Sequence, residues 1–398
     1  MNILFLCDEY PPCQHGGIGT VTSVLARELV RNGHKVIVCG FYPYYRKALS
    51  YQNDYGVLVY RYFYGNRLTL KLSKHSIAGK FVNIIGQFYS YLENVRKLIR
   101  EQKIDIMEGP DYNEIFRYTG PRFISFPDFE IPMVVKIHGG DSFFSYIKHN
   151  TINEDILFRK EKMLLDSADS ILAISEFSQS VIKKIFKYEK DIPVIYNGIE
   201  IDKPVAYHED PERKTVVFAG TITEKKGIFS LIKAWEDVIE QIPDANLHIY
   251  GKGSKRMLKH LSSLINGKMI GSVHIKGFTD KENLEQIYTS ATCAVFPSFA
   301  ESFGMAPLEA MVKGCPTIFT SRTSGPELIN NGEDGLLVDP GNTRDLSTAI
   351  IYLLRNRDKA LELGEKGAKK VIRRFDISLI AKRHISLYEE LIKKRGNS

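Results

Sequence analysis

Two glutamates stand eight positions apart in Glu301-Ser-Phe-Gly-Met-Ala-Pro-Leu-Glu309. They follow the apolar stretch Cys293–Phe296, which reads as a buried strand, and they bracket a helix start with Pro307 near its first turn and Gly314 beyond its end. The spacing predicts Glu301 in the loop at the strand's carboxyl end and Glu309 on the first helical turn. Ligands of open α/β sheets bind at that end of the strands. The amides of Phe303, Gly304 and Met305 would face an anion there, with the helix dipole behind them. The plainer alternative is a helix whose acids merely favour its N-terminus.

Other segments repeat the pattern. Val-Val-Phe-Ala-Gly220-Thr221-Ile-Thr-Glu-Lys225-Lys226-Gly227 is a strand, a glycine turn and a lysine at a helix start, an arrangement that holds phosphate by a point charge. Leu-His-Ile-Tyr-Gly251-Lys-Gly253 and Val-His-Ile-Lys-Gly277-Phe278 each end a strand in glycine, which permits close approach of backbone to a ligand. Nearer the start, Gly16-Gly17 follows the first strand, and His138-Gly-Gly-Asp141 follows the strand Met133–Ile137. A histidine at a strand end before Gly-Gly-Asp reads as ligand-facing, against a hydrogen-bonded structural histidine. Asp141 either takes part or caps the next segment. His15 lies beside Gly16 with no role to assign.

The elements that must carry these residues alternate strand and helix. Asn2–Cys7 is a short apolar strand. Val21, Val24, Leu25 and Leu29 share one helical face closed by Gly33, and Val36–Cys39 is the next strand. Met133–Ile137 and Ile171–Ile174 continue the series, and Pro193–Tyr196 is expected to end it. Residues 201–214 are polar, hold two prolines and show no periodicity, so they read as a linker. A second series follows: Thr215–Ala219, Asn246–Tyr250, Val273–Lys276, Cys293–Phe296 and Pro316–Thr320. The expectation is two doubly wound α/β domains facing a central cleft, residues 1–200 and 215–377. The amphipathic helix Ser378–Lys394 is expected to carry residues 378–398 back to the first.

Together these motifs resemble the retaining family-4 glycosyltransferases of GT-B fold (glycosyl transferases group 1), two Rossmann-like domains. The resemblance runs from Gly16-Gly17 through His138-Gly-Gly-Asp141, Ser175-Glu-Phe, Asn197-Gly-Ile and Gly220…Lys226-Gly227 to Glu301…Glu309 and the last helix. It implies a nucleotide-diphosphate sugar as donor, a UDP- or GDP-sugar first, bound chiefly by the second domain. It places Glu309 on the ribose hydroxyls and Glu301 on the donor-sugar hydroxyls. Lys226 would lie on the diphosphate with the amides of Ser302, Phe303, Gly304 and Met305 and of Gly16-Gly17, while Gly277 and Phe278 would lie against the base. His138 would face the reacting sugar. The family usually has arginine directly after the glycine matching Gly220. Here that residue is Thr221, and Lys225 is a candidate for the second charge. The resemblance further implies transfer to a carbohydrate or lipid-linked acceptor hydroxyl in glycan, glycolipid or polysaccharide synthesis. No metal or other cofactor is expected, because Lys226 already balances the diphosphate.

Competing chemistries fit less well. A dinucleotide dehydrogenase needs the GxGxxG spacing, which His-Gly-Gly-Ile-Gly-Thr20 lacks. A glycoside hydrolase would pair Glu301 with Glu309, but a helix start with phosphate-binding features is the wrong setting. A nucleotide-sugar epimerase of GT-B fold, or a non-catalytic nucleotide-sugar-binding protein, remains open.

Composition agrees with an enzyme of ordinary globular kind. The 398 residues are 43% hydrophobic and 25% charged, which excludes disorder, collagen and a disulfide scaffold. Five cysteines without a CxxC pair point to a reducing compartment, with Cys7 and Cys39 as small buried hydrophobes. The start, MNILFLCDEYPP, reads as a strand rather than a signal peptide, so a cytoplasmic location is expected. The net charge of +7 is concentrated between Arg61 and Lys103, where nine basic residues meet two glutamates among many aromatics. That stretch reads either as a solvated face over buried rings or as a peripheral surface for anionic membrane. No nucleic-acid motif accompanies the charge.

Overall fold

The structure is a computed structural model that describes residues 1–12, 16–43, 50–64, 77–112, 127–201 and 214–396. Its contacts divide it into two compact units. The first comprises Met1–Ile174, Ser178–Gly198 and Ile377–Ser398, and the second Ser175–Phe177 with Ile199–Asp376.

In the first unit, β1 (Asn2–Leu6), α1 (Gly17–Arg31) and β2 (Lys35–Pro43) form the expected crossover. An antiparallel hairpin follows, β3 (Tyr51–Asp54) and β4 (Val57–Tyr64), and then the helix α2 (Ile77–Gln102). Next come β5 (Ile106–Pro110), β6 (Met133–Ile137), α3 (Asp141–His149), α4 (Ile156–Asp166), β7 (Ser170–Ala173) and α5 (Glu176–Phe186). The strands lie in the order β3-β4-β2-β1-β5-β6-β7, parallel except for β3. Strands covered on both faces have no polar side to show: β5 and β6 are buried at every position, as parallel strands between helices are. Cys7 and Cys39 are buried, free thiols pushed up to about 12 by burial.

The second unit runs β8 (Thr215–Ala219), a 3₁₀ turn at Glu224–Lys226, α6 (Ile228–Gln241), β9 (Asn246–Tyr250), α7 (Lys255–Leu264), β10 (Val273–Gly277), α8 (Lys281–Ser290) and β11 (Cys293–Phe296). It continues with α9 (Met305–Val312), β12 (Thr317–Thr320), α10 (Gly325–Leu328), β13 (Leu336–Val338), α11 (Thr343–Arg355) and α12 (Arg357–Phe375). Its strands are all parallel, in the order β10-β9-β8-β11-β12-β13. Trp235 is completely buried at the core, its indole N–H satisfied by Ser272 Oγ at 3.0 Å.

The last helix, α13 (Ile377–Gly396), belongs to the first unit, where it packs against α1 and buries Ile380, His384, Tyr388 and Leu391. Two expectations change. Pro193–Tyr196 forms a single bridge between Val194 and Ala173 rather than a strand. Arg61 does not belong to a solvated basic face: it lies in β4, 2% exposed, with its guanidinium on Pro11 O (2.6 Å) and Gln52 Oε1 (3.0 Å). Phe88 and Tyr91 of the same stretch are core residues, whereas Arg67, Lys71 and Lys74 lie outside the described residues. No described helix is long and apolar enough to cross a membrane.

Candidate functional site

In the second unit, three strand-end loops are laced together by their backbones. Gly220 N–H donates to Tyr250 O (3.0 Å), Ile222 N–H to Lys252 O (2.8 Å) and Gly251 N–H to Gly277 O (2.7 Å). Gly251 has φ +144°, and a Cβ there would stand 1.8 Å from the carbonyl oxygen of Gly220, so only glycine allows the lacing. Phe278, just beyond, is 67% exposed and carries the Lys252 ammonium 4.0 Å from its ring centroid.

The turn Glu224–Lys226 is fixed against the β11 loop. Phe299 N–H donates to Lys225 O (2.8 Å), and Gly227, at φ +72°, would drive a Cβ to 1.7 Å from Pro297 O. This brings the Lys226 ammonium into an ion pair with the Glu301 carboxylate. Desolvation and the adjacent Lys226 charge both push the Lys225 ammonium down. Thr221 is exposed.

Past Glu301 two successive carbonyls are taken up by serine hydroxyls. Ser302 O accepts from Ser175 Oγ (2.7 Å), and the carbonyl of the buried Phe303 accepts from Ser324 Oγ. Among the described residues no acceptor meets the amides of Ser302, Gly304 or Met305, which open α9. Glu309 is the fifth residue of that helix, one position beyond the first turn predicted for it. Burial, with Glu285 adding repulsion, raises its pKa against the pull of Lys281. Among the described residues Glu309 has no hydrogen bond or ion pair. The hydroxyl of the fully buried Tyr288, whose pKa burial and the Glu309 charge raise, is likewise unpartnered.

In the first unit, Gly16 N-caps α1, but its amide donates to Glu9 Oε2 (3.0 Å), so the carboxylate of Glu9 occupies the position foreseen for an anion. Gly17 is the first helical residue, and His15 lies outside the described residues. His138 follows β6, half-buried, held well below the ordinary imidazole value by desolvation and by the buried Lys136 ammonium. It is therefore a neutral imidazole. Asp141 is exposed at the first position of α3 and makes no capping hydrogen bond, Gly140 being the N-cap. Beside it opens a cavity of about 240 Å³ lined by Ser142, Ser145, Tyr146, Asn153 and Phe158.

Residues 15–203 match the family model described as Glycosyltransferase Family 4, and residues 201–370 match that described as Glycosyl transferases group 1. The chain belongs to the group 1 glycosyltransferases.

Its fold is GT-B. This glycosyltransferase superposes on sucrose-phosphate synthase of Thermosynechococcus elongatus with a TM-score of 0.77 at 20% identity, covering 99% of this chain and 100% of that one. It superposes on Anabaena HepE, solved with UDP and glucose, with a TM-score of 0.73 at 18% identity, covering 98% and 99%. In sequence it is 26% identical to an uncharacterized glycosyltransferase of Methanocaldococcus jannaschii over the whole of both chains. It is 29% identical to the phosphatidyl-myo-inositol mannosyltransferase of Mycobacterium leprae over 50% of this chain and 54% of that one.

In the second unit of this glycosyltransferase, the structure joins Gly220, Gly251 and Gly277, which the motifs singled out one by one, in a single lacework, and it pairs Lys226 with Glu301, where the motifs had given each a separate ligand. It adds residues that no motif announced. The buried Tyr288 feels the charge of Glu309, and Lys252 sits over Phe278. Glu327 accepts the amides of Glu176 (2.7 Å) and Phe177 (2.8 Å), which draws the Ser175-Glu-Phe segment into the second unit. These are contacts between residues distant in the chain, and spacing carries no trace of them.

Proposed function

We propose that this glycosyltransferase moves a sugar from a nucleotide-diphosphate donor to an acceptor hydroxyl with retention at the anomeric carbon, in glycan, glycolipid or polysaccharide synthesis. The observation that carries the reading is the second unit's combination of Lys226 on Glu301, open amides at the start of α9, and an unpartnered Glu309. The ammonium and amides suit a diphosphate, Glu309 suits ribose hydroxyls, and Glu301 suits donor-sugar hydroxyls once Lys226 turns to the phosphate. The exposed Phe278 beside Gly277 offers a face for the base. HepE was solved with UDP and glucose, and CapM of Staphylococcus aureus, 25% identical over 60% of this chain and 66% of that one, is named for capsular polysaccharide biosynthesis. Both support the donor class and the pathway class.

The chemistry follows from where charge develops. The bond from the anomeric carbon to the diphosphate oxygen breaks, and both electrons leave with the diphosphate. Lys226 and the α9 amides stabilise that growing charge, a preorganised contribution of several kcal/mol. The acceptor oxygen bonds the anomeric carbon on the same face, and its proton passes to the departing phosphate oxygen. Neutral His138 accepts or donates a hydrogen bond to the sugar without adding positive charge beside a cationic transition state. No divalent ion is required by this balance. The cavity beside Asp141, rich in hydroxyls and floored by Phe158, suits an acceptor ring. The reaction would take place on the cytoplasmic side, on a soluble or lipid-linked acceptor.

Thermal shift with UDP-, GDP-, ADP- and dTDP-sugars identifies the donor, because a ligand of the folded state raises its melting temperature. Product analysis then separates the alternatives. A GT-B epimerase alters the donor sugar without an acceptor, a binding protein forms no product, and the proposed activity gives an α-linked product from an α-linked donor.

A further inference from the structure

Two carboxylates that none of these roles uses converge on the backbone that carries His138. Asp111, just past β5 and 6% exposed, accepts from the His138 amide at 2.8 Å and the Gly139 amide at 3.0 Å, and the Gly140 amide bonds it as well. Glu161, on α4, accepts the Ser142 amide through both oxygens at 3.2 Å. A Cβ at Gly140 would stand 2.8 Å from Glu161 Oε1, so the carboxylate packs directly against the backbone of the turn.

We propose that Asp111 and Glu161 are positioning residues, a charged carboxylate under each end of the 138–142 turn, which fix the direction of the His138 imidazole and the Asp141 side chain toward the transferred sugar. The inference rests on the donor-sugar role proposed for His138. Carboxylates stand here although neutral amide side chains would cost less to bury. A carboxylate accepts several amides at once through charge-assisted bonds, which are shorter and roughly twice as strong as neutral ones. An asparagine at 111 would turn N–H groups toward N–H groups.

The charge has a cost in stability. Burial pushes Asp111 up to about 6 despite its three amide donors. Burial pushes Glu161 up to about 7, with the charges of Asp111 and Asp141 adding to the shift and Ser142 opposing it. A carboxyl raised in the folded state contributes stability below its ordinary value and loses it as pH rises through the raised one. At neutral pH, then, this brace is held against the stability of the fold, as is common for groups kept for function. The ammonium in this layer belongs to Lys136, which acts on His138 and Glu108. His138 itself stays neutral far below this range and so does not titrate with the carboxylates.

The test uses the full-length protein with Asp111→Asn and Glu161→Gln. The first readout is hydrogen exchange of residues 138–142 without ligand, corrected for intrinsic rates. Wild type is expected to be protected near pH 8 and to lose protection as the pH falls through the two values, while the variants are unprotected throughout. The second is turnover of UDP-glucose and GDP-mannose. In the variants kcat is expected to fall on the order of 10- to 100-fold, as misplaced groups cause, while the donor KM stays within about twofold because the nucleotide contacts are assigned to the other unit. The acid limb of kcat should lose its step near 6 in Asp111→Asn and its step near 7 in Glu161→Gln. Near pH 8, Glu161→Gln should melt no lower than wild type, whereas a residue kept only for packing would lower the melting temperature. Protection retained in both variants, or unchanged kcat with the acid limb intact, overturns the inference. If neither sugar nucleotide binds wild type, the donor that the thermal-shift panel identifies takes their place, and if none of that panel binds, the proposed donor class fails and hydrogen exchange alone decides the brace. If Asp111→Asn does not fold, Glu161→Gln carries the same readouts.

Discussion

Tyr388, on the last helix, donates a 2.6 Å hydrogen bond to Glu108 in β5, and both side chains are buried. Around this pair the Lys136 ammonium stands 3.4 Å from His384 Nε2, while His384 Nδ1 faces Ile380 O at 3.0 Å. The second contact requires Nδ1 to carry the proton, which leaves Nε2 to accept from Lys136. Burial and the Lys136 charge hold His384 well below its usual range, so it is neutral as this assignment demands. The helix that ends the chain is thereby bolted to the strands beneath His138. Tyr388→Phe removes the donor and leaves a buried carboxylate short of a partner, a loss of about 1–3 kcal/mol. Urea unfolding followed by far-UV circular dichroism would check it. Unchanged stability would mean that Lys136 alone satisfies Glu108.

Much of this was legible before the structure. The crossover Asn2–Cys39 and five of the second unit's described strands, all but the three-residue β13, follow from short apolar runs, a local signal. The lacework of Gly220, Gly251 and Gly277 was legible as three strand-end glycines, although their mutual contacts were not. The hairpin of β3 and β4 escaped because its turn, Tyr55-Gly56, lacks the usual Asn-Gly or Asp-Gly pair and holds Tyr55 at φ +51°. Arg61 misled for a different reason. A charge count treats every arginine as solvated, and the backbone carbonyl that satisfies this one, Pro11 O, is fifty positions away. Asp111 and Glu161 escaped for the same cause: their partners are amides, which every residue has, and only the fold decides which amides.

Glu309→Ala is expected to weaken binding of the matching nucleoside diphosphate. Losing a charged partner of the ribose hydroxyls removes about 1.5–3 kcal/mol, roughly 10- to 100-fold in Kd. The variant should fold. Burial and Glu285 raise the Glu309 pKa, so its charge costs the folded chain stability as pH rises, and removing it lifts that cost. For the same reason wild-type affinity should decline as acid protonates Glu309. Titration calorimetry on folded protein decides, and an unchanged Kd removes Glu309 from the site.

Transfer should survive excess chelator, because Lys226 and the α9 amides already oppose the diphosphate charge. Lys226→Ala should lower kcat on the order of 10²- to 10³-fold, the usual effect of deleting one preorganised donor. Steady-state rates with and without EDTA, on both proteins, test the two statements together. Loss of wild-type activity in chelator, restored by Mg²⁺ or Mn²⁺, would show that a metal carries the charge instead.

A contact with anionic membrane remains a proposal for the basic stretch, now without Arg61, which the sheet encloses. Part of the remaining charge is also internally balanced: Arg96 pairs with Glu93 at 2.6 Å and Lys97 with Glu101 at 3.7 Å on α2. Arg67, Lys71, Lys74, Lys80, Arg100 and Lys103 are left to carry the idea, and the first three stand closest together in the sequence. Each basic group engaged at an anionic surface adds about 1 kcal/mol, so three together would give binding that sedimentation with phosphatidylserine vesicles detects at low salt. Replacing all three with Glu should abolish that binding while leaving nucleotide affinity intact, since donor contacts are assigned to the second unit. Salt should weaken wild-type binding steeply, because the interaction is screened beyond about 10 Å at 0.1 M. If the unmodified protein ignores such vesicles, the stretch is a solvated face and the acceptor reaches the enzyme from solution.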